Sequence, residues 1–151
     1  MVYILGGWQS DFKRNWVREG MEIADGFAET LTGGLEATEL EPGDIDVGHV
    51  GNFVGDLFAG QGMLGGFFAL SDQRFDGMPA SRHEGACASG SLAILAAMAD
   101  IESGRYGTAA VLGLGADAQC SGPDGGRASG CRGLGGPRVS GCALCLAARL
   151  F

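Results

Sequence analysis

No stretch of the 151-residue chain is long and apolar enough to span a membrane. The N-terminus, MVYILGGWQSDFKRNW, lacks a basic leader, and its apolar run breaks at Gly6, so it does not read as a signal peptide. A cytoplasmic, reducing location is the expectation that follows. The five cysteines, an odd number, then read as thiols rather than as a disulfide framework. Basic patches and aromatic–basic alternation are also missing, and the formal charge of −8 argues against a nucleic-acid surface. Closely spaced cysteine pairs are scarce. Cys120-x10-Cys131-x10-Cys142-x2-Cys145 holds one knuckle-type pair where a structural zinc site usually has two, so no metal is expected.

What the chain has in excess is glycine, 29 residues, which signals tight turns, close backbone approaches or a segment that folds poorly. Charge is divided unevenly. Residues 1–115 hold 6 Lys+Arg against 16 Asp+Glu, whereas residues 116–151 hold 4 Arg against 2 Asp. The second segment also has four of the five cysteines, eight glycines and a single aromatic, Phe151, and it shows no helical or strand period before its last ten residues. Two parts are therefore expected: a domain over 1–115 and a poorly ordered Gly/Cys/Arg-rich tail over 116–151. Gly, Arg, Ala, Ser, Pro and Cys are what G+C-rich codons yield out of frame, so a frame slip near Asp117 is one origin for the tail. A natural Gly-rich tail is the other, and the coding DNA decides between them.

Within 1–115, Val2–Gly7 reads as a short buried strand closed by glycines. Met21, Ala24, Phe27, Ala28, Leu31 and Leu35 recur at three- and four-residue steps, which predicts a helix with one buried stripe. Glu41–Asp46 is a turn, Val47–Val54 a second strand, Leu57–Leu70 a second helix, Pro79–Glu84 a third strand and Thr108–Gly115 a fourth. Strands alternating with helices argue for an α/β fold with a mostly parallel sheet. The helix predicted over Ala88–Ser103 is apolar nearly all round, so it should be buried on all sides, and further layers or a partner subunit should enclose it.

Cys87 lies where the third strand turns into that helix, among Gly85, Ser89 and Gly90. A thiol in a first turn meets amides that lack an intrahelical partner and carry partial positive charge, which favours its thiolate. The same amides can hold the oxyanion formed when a thioester is attacked. Burial as an inert small residue is the competing account. His83 and His49 read as hydrogen-bonded strand histidines rather than as bases facing Cys87. Gly113-x-Gly115 is a weak dinucleotide signal, since a third glycine and a following helix are missing.

The segment EGACASGSLAILAAMADIESGRYGTAAVLGLG resembles the active-cysteine segment of thiolases, in the branch of sterol-carrier-protein thiolases and acetyl-CoA acetyltransferases. EPGDIDVGHVGNF and LFAGQGMLGGFFAL resemble the strand and helix that precede it, so the likeness covers residues 2–115. The resemblance implies the N-terminal αβαβα half of a thiolase fold, with the helix after Cys87 buried in it. It implies that Cys87 is the nucleophile that takes an acyl group from acyl-CoA. No resident cofactor is implied, since coenzyme A arrives as the substrate thioester, and the coenzyme-binding residues are left unassigned. It also implies assembly as a homodimer or hetero-oligomer. The family's Gly-Asn-x-x-His and Cys-x-Gly motifs have no counterpart here, and no histidine follows His83. A cysteine nucleophile normally needs such an activator, so a truncated chain, inactive alone, is expected. A non-catalytic module of the same fold that binds a partner is the alternative, and a dinucleotide-binding domain the remoter one.

Overall fold

The computed structural model describes residues 1–11, 14, 16 and 19–115, together with the backbone of 146–150. Five strands form one sheet in the order β1-β5-β4-β2-β3. They are β1 (Val2–Ile4), β2 (Val47–Asn52), β3 (Ala80–His83), β4 (Thr108–Leu114) and β5 (Leu146–Leu150). β2 pairs in parallel with both β3 and β4, while β5 runs antiparallel to β4 and β1. The sheet is thus mixed, as expected.

Side chains of β2 and β4 alternate between two helical layers, as the two-residue strand period requires. Val50, Ala110, Leu112 and Leu114 join a core with Phe27 and Leu31 of α1 (Ile23–Thr38) and Phe67 and Phe68 of α3 (Phe67–Ser71). The ring of Phe27 meets Phe67 and Phe68 edge-on, and Phe68 meets Phe75 likewise, at centroid distances of 5.1–5.5 Å. Each such pair adds about 0.5–1.5 kcal/mol beyond its buried area. Val47, Ala109 and Val111 point the other way and pack on Ala93, Ala97 and Ile101 of α4 (Ser89–Glu102). With both faces covered, all six residues of β2 are buried.

Two glycines inside β2 would ordinarily weaken a strand. Here each admits a neighbour. A Cβ on Gly48 would stand 2.3 Å from the Phe68 ring, and one on Gly51 would stand 2.7 Å from Gly90 Cα at the start of α4. The glycines of α1 serve the same purpose. A Cβ on Gly26 would collide with the Trp16 ring at 2.4 Å, and one on Gly33 with Trp8 at 2.6 Å. The segment between β1 and α1 therefore sends two indoles against the helix.

Three expectations are corrected. The single helix over Leu57–Leu70 is replaced by α2 (Gly55–Ala59), a 3-10 turn over Leu64–Gly66 and then α3. Gly60, at φ 65°, ends α2 in a left-handed cap, so the apolar period continues across a break in the backbone. β1 is shorter than predicted and is not buried: Tyr3 is 44% and Ile4 69% exposed, because it lies at the sheet edge. The helix after Cys87 is buried on one side only. Ser89, Ala93, Ala97 and Ile101 face inward, while Leu95 is 59% and Leu92 40% exposed. Among the described residues no element covers that second face.

The tail expected over 116–151 contributes β5 to the sheet. The cysteines Cys120, Cys131, Cys142 and Cys145 and the rest of residues 116–145 lie outside the described residues. Among the described residues no helix is long and apolar enough to cross a membrane, and no group of three or more His, Cys, Asp or Glu could hold a metal ion.

Candidate active site

Parallel strands deliver their following turns to one edge of a sheet, and an open α/β sheet places ligands outside those carboxyl ends. β2 and β3 run side by side, with Gly51 opposite His83, so the turns starting at Phe53 and Glu84 emerge together. Cys87 is on the second turn and is exposed. The sulfur is thus not shut inside the core.

Its placement differs from the first helical turn predicted. α4 starts at Ser89, with Ala88 as N-cap, so Cys87 stands one residue ahead of the cap. The chain reaches it through a strained step: Ala86 has φ 49°, in the left-handed region. That conformation costs an L-residue about 1–2 kcal/mol, and such cost concentrates at functional sites. Ser89 holds the step in place. Its hydroxyl is 5% exposed at the residue level, accepts from Gly85 N–H at 3.0 Å and donates to Ala86 O at 2.7 Å. Ala88 N–H and Ser89 N–H bond back to Gly85 O and Ala86 O. Ser89 clamps the turn, and Gly90 meets Gly51.

Asn52 fixes the neighbouring turn. Its side chain, 1% exposed, donates from Nδ2 to Leu114 O at 2.7 Å, and its Oδ1 accepts from Gly55 N–H at 2.8 Å. It spans the carboxyl ends of β2 and β4 and the start of α2.

The two histidines are engaged with each other, as their reading as strand histidines predicts. His49 Nδ1 is 2.9 Å from His83 Nε2, and Ser81 Oγ is within 3.2 Å of the first and 2.9 Å of the second. On the far side, His49 Nε2 approaches Asp100 Oδ2 at 3.1 Å, off the hydrogen-bond axis, so this buried nitrogen lacks a hydrogen-bond partner. Asp100 is eleven residues beyond the first residue of α4, about 16 Å along its axis from the Cys87 end.

Burial pushes the His49 imidazole below its ordinary 6.5, and the neighbouring His83 adds to this against the opposing pull of Asp100. Burial also lowers His83, again opposed by Asp100. Both are held neutral in the fold and charge readily once unfolded. The unfolded chain therefore binds more protons below about pH 6.5, and the stability present above that pH is lost as pH falls. Urea unfolding should show a declining free energy from about pH 7 to about pH 5, with a shallower decline in a His49→Gln variant. Equal slopes in the two proteins would remove the imidazole pair as the cause.

A groove of about 530 Å³ lies elsewhere, lined by Leu35, Glu39, Pro42, Asp72, Arg74 and Phe75 among others. It surrounds the 3-10 turn Pro42–Asp44 that enters β2, at the opposite end of the parallel strands from Cys87. The groove and the exposed thiol thus lie at opposite ends of the parallel strands.

No protein-family model matches the chain. An acetyl-CoA acetyltransferase of Methanocaldococcus jannaschii is 33% identical over 113 residues, which is 75% of this chain and 28% of that protein. The chain thus spans little more than a quarter of this relative. Among solved structures, 3-oxoacyl-[acyl-carrier-protein] synthase III from Aquifex aeolicus superposes with a TM-score of 0.68 at 14% identity, over 99% of this chain and 54% of that one. That likeness speaks for the fold, and the sequence match ties the fold to the acetyltransferase. Taken with a mixed sheet that offers a cysteine at the strand-to-helix turn, these similarities fit a thiolase-type N-terminal part.

Proposed function

We propose that Cys87 is the acyl acceptor of a thiolase-type acyl-CoA acyltransferase and that this chain carries the accepting step but not the whole reaction. The single observation behind this reading is the exposed thiol immediately after a left-handed Ala86, at the carboxyl end of β3. The Cys87 thiolate attacks the thioester carbonyl carbon. The tetrahedral intermediate collapses with loss of the coenzyme A thiolate, leaving an acyl group on Sγ. Amides at the start of α4 offer positive potential to the oxyanion. The chain has two histidines, and both are engaged in the cluster with Asp100, so in this reading neither is the group that handles the proton at Cys87.

Incubation with radiolabelled acetyl-CoA, followed by peptide mapping, tests this. Label should appear on Cys87 with release of up to one coenzyme A per chain and no sustained turnover of acetoacetyl-CoA. Label confined to other cysteines would overturn the assignment, and steady turnover would overturn the incompleteness.

The reading of a partner-binding module draws on one observation, the exposed apolar stripe Leu92, Leu95 and Met98 of α4. In this reading a homo- or hetero-oligomeric partner covers the stripe. The two readings are compatible, and Cys87 labelling separates a catalytic from a purely structural role.

A further inference from the structure

We infer that Glu84 is a positioning residue that locks the turn after β2 to the turn presenting Cys87. The inference rests on the reading of Cys87 as the acyl acceptor. The observation that carries it is an unusual backbone. Val54 has φ 52° and ψ 32°, a left-handed conformation that β-branched residues avoid. Glycine adopts it freely, yet the chain has valine here, so the surroundings must hold it.

The holding group is the Glu84 carboxylate. Oε1 accepts from Val54 N–H at 3.0 Å, and Oε2 meets Arg82 Nη2. The other guanidinium nitrogen of Arg82 reaches Asp56 Oδ1 at 3.2 Å, in the first turn of α2, and Gly62 O at 3.3 Å. The Arg82 side chain is 17% exposed, while Glu84 is 39% and Asp56 66% exposed, so the clamp lies at the surface with its guanidinium the most enclosed member. A ring of contacts therefore closes through Val54, Glu84, Arg82 and Asp56. On the other side of Val54, Asn52 takes the Gly55 amide.

Glu84 comes three residues before Cys87, and Gly85 is fastened to Ser89. Any movement of the turn after β2 is thus transmitted to Gly85 and Ala86. That turn carries Phe53, 50% exposed, two residues beyond Gly51, which pairs with His83. Glu84 sets the distance between this aromatic wall and the thiol, and the negative charge is needed because Arg82 is the second partner.

The test uses the full chain as wild type, Glu84→Ala, Glu84→Gln, Val54→Gly and the Val54→Gly/Glu84→Ala double variant. Hydrogen exchange at the Val54 amide and iodoacetamide alkylation of Cys87, mapped by mass, are measured alongside acetyl transfer from acetyl-CoA. Glu84→Ala should speed Val54 exchange by about tenfold and change the Cys87 alkylation rate by about threefold or more. Glu84→Gln, which keeps an acceptor for the amide, should fall between. In the Val54→Gly background the alanine substitution should change alkylation by less than about twofold, because glycine needs no holding. Unchanged exchange or unchanged alkylation in Glu84→Ala overturns the inference, as does an equal loss in the glycine background. Absence of acetylation in the wild type counts against Cys87 as acceptor instead, and leaves the exchange and alkylation arms to decide on Glu84.

Discussion

Replacing Gly51 with alanine is expected to destabilise the protein by about 3 kcal/mol and to slow acylation of Cys87 by about a hundredfold. The new methyl would stand 2.7 Å from Gly90 N, Gly90 Cα and Ser89 C. These are backbone atoms, so no rotamer change relieves the contact, and the start of α4 must move away from β2. Ser89 moves with it, and Ser89 is the residue that pins Ala86. Packing loss and misplacement of the thiol therefore come from one displacement. Gly90→Ala is the matched control: a Cβ there meets nothing outside its own helix within 4 Å. That change should leave stability within about 1 kcal/mol of the wild type, or raise it, since alanine favours the helix. Urea denaturation and acetyl-CoA labelling read both effects. A Gly51→Ala protein as stable and as reactive as the wild type would show that β2 and α4 are farther apart than described.

Cys87→Ser should reduce acetyl labelling by about a thousandfold or more, with a stability change within about 0.5 kcal/mol because the side chain is exposed. A hydroxyl is a far weaker nucleophile than a thiolate unless a base removes its proton. His49 and His83 are turned toward each other and toward Asp100, so neither supplies that base. Mass mapping of the labelled peptides checks the result. Retention of wild-type labelling in Cys87→Ser would place the acceptor on one of the four cysteines beyond residue 116.

Much of the parallel part of the fold was legible in the residues. β2, β3, β4 and the flanking helices α1 and α4 carry apolar patterns whose period survives folding, and their predicted limits lie close to those observed. The thiol at the β3–α4 turn and the hydrogen-bonded placement of the two strand histidines could also be read. Other features depend on contacts that a local pattern does not record. The period of Leu57–Leu70 is shared by two short helices because Gly60 redirects the backbone without disturbing the spacing. The start of α4 was placed one residue early because the apolar run leaves no mark where the turn ends: Ala88 caps without a side-chain bond, and Ser89 turns its hydroxyl back to Gly85 and Ala86. Glu84 gave no signal at all. Its role depends on a left-handed Val54 thirty residues away, and a dihedral angle leaves no mark in composition. Nor did Trp8 and Trp16 announce that α1 had kept two glycines to receive them.

The position of β5 bears on the timing of synthesis. It is wedged between β4 and β1, so β1 has no seat in this sheet until β5, which is made after it, arrives. About thirty residues separate the end of β4 from the start of β5, which at ordinary elongation rates amounts to roughly 2–6 s. During that interval the nascent domain holds Cys87 at a turn already made, while one flank of β4 offers unpaired amides and carbonyls to any strand that passes.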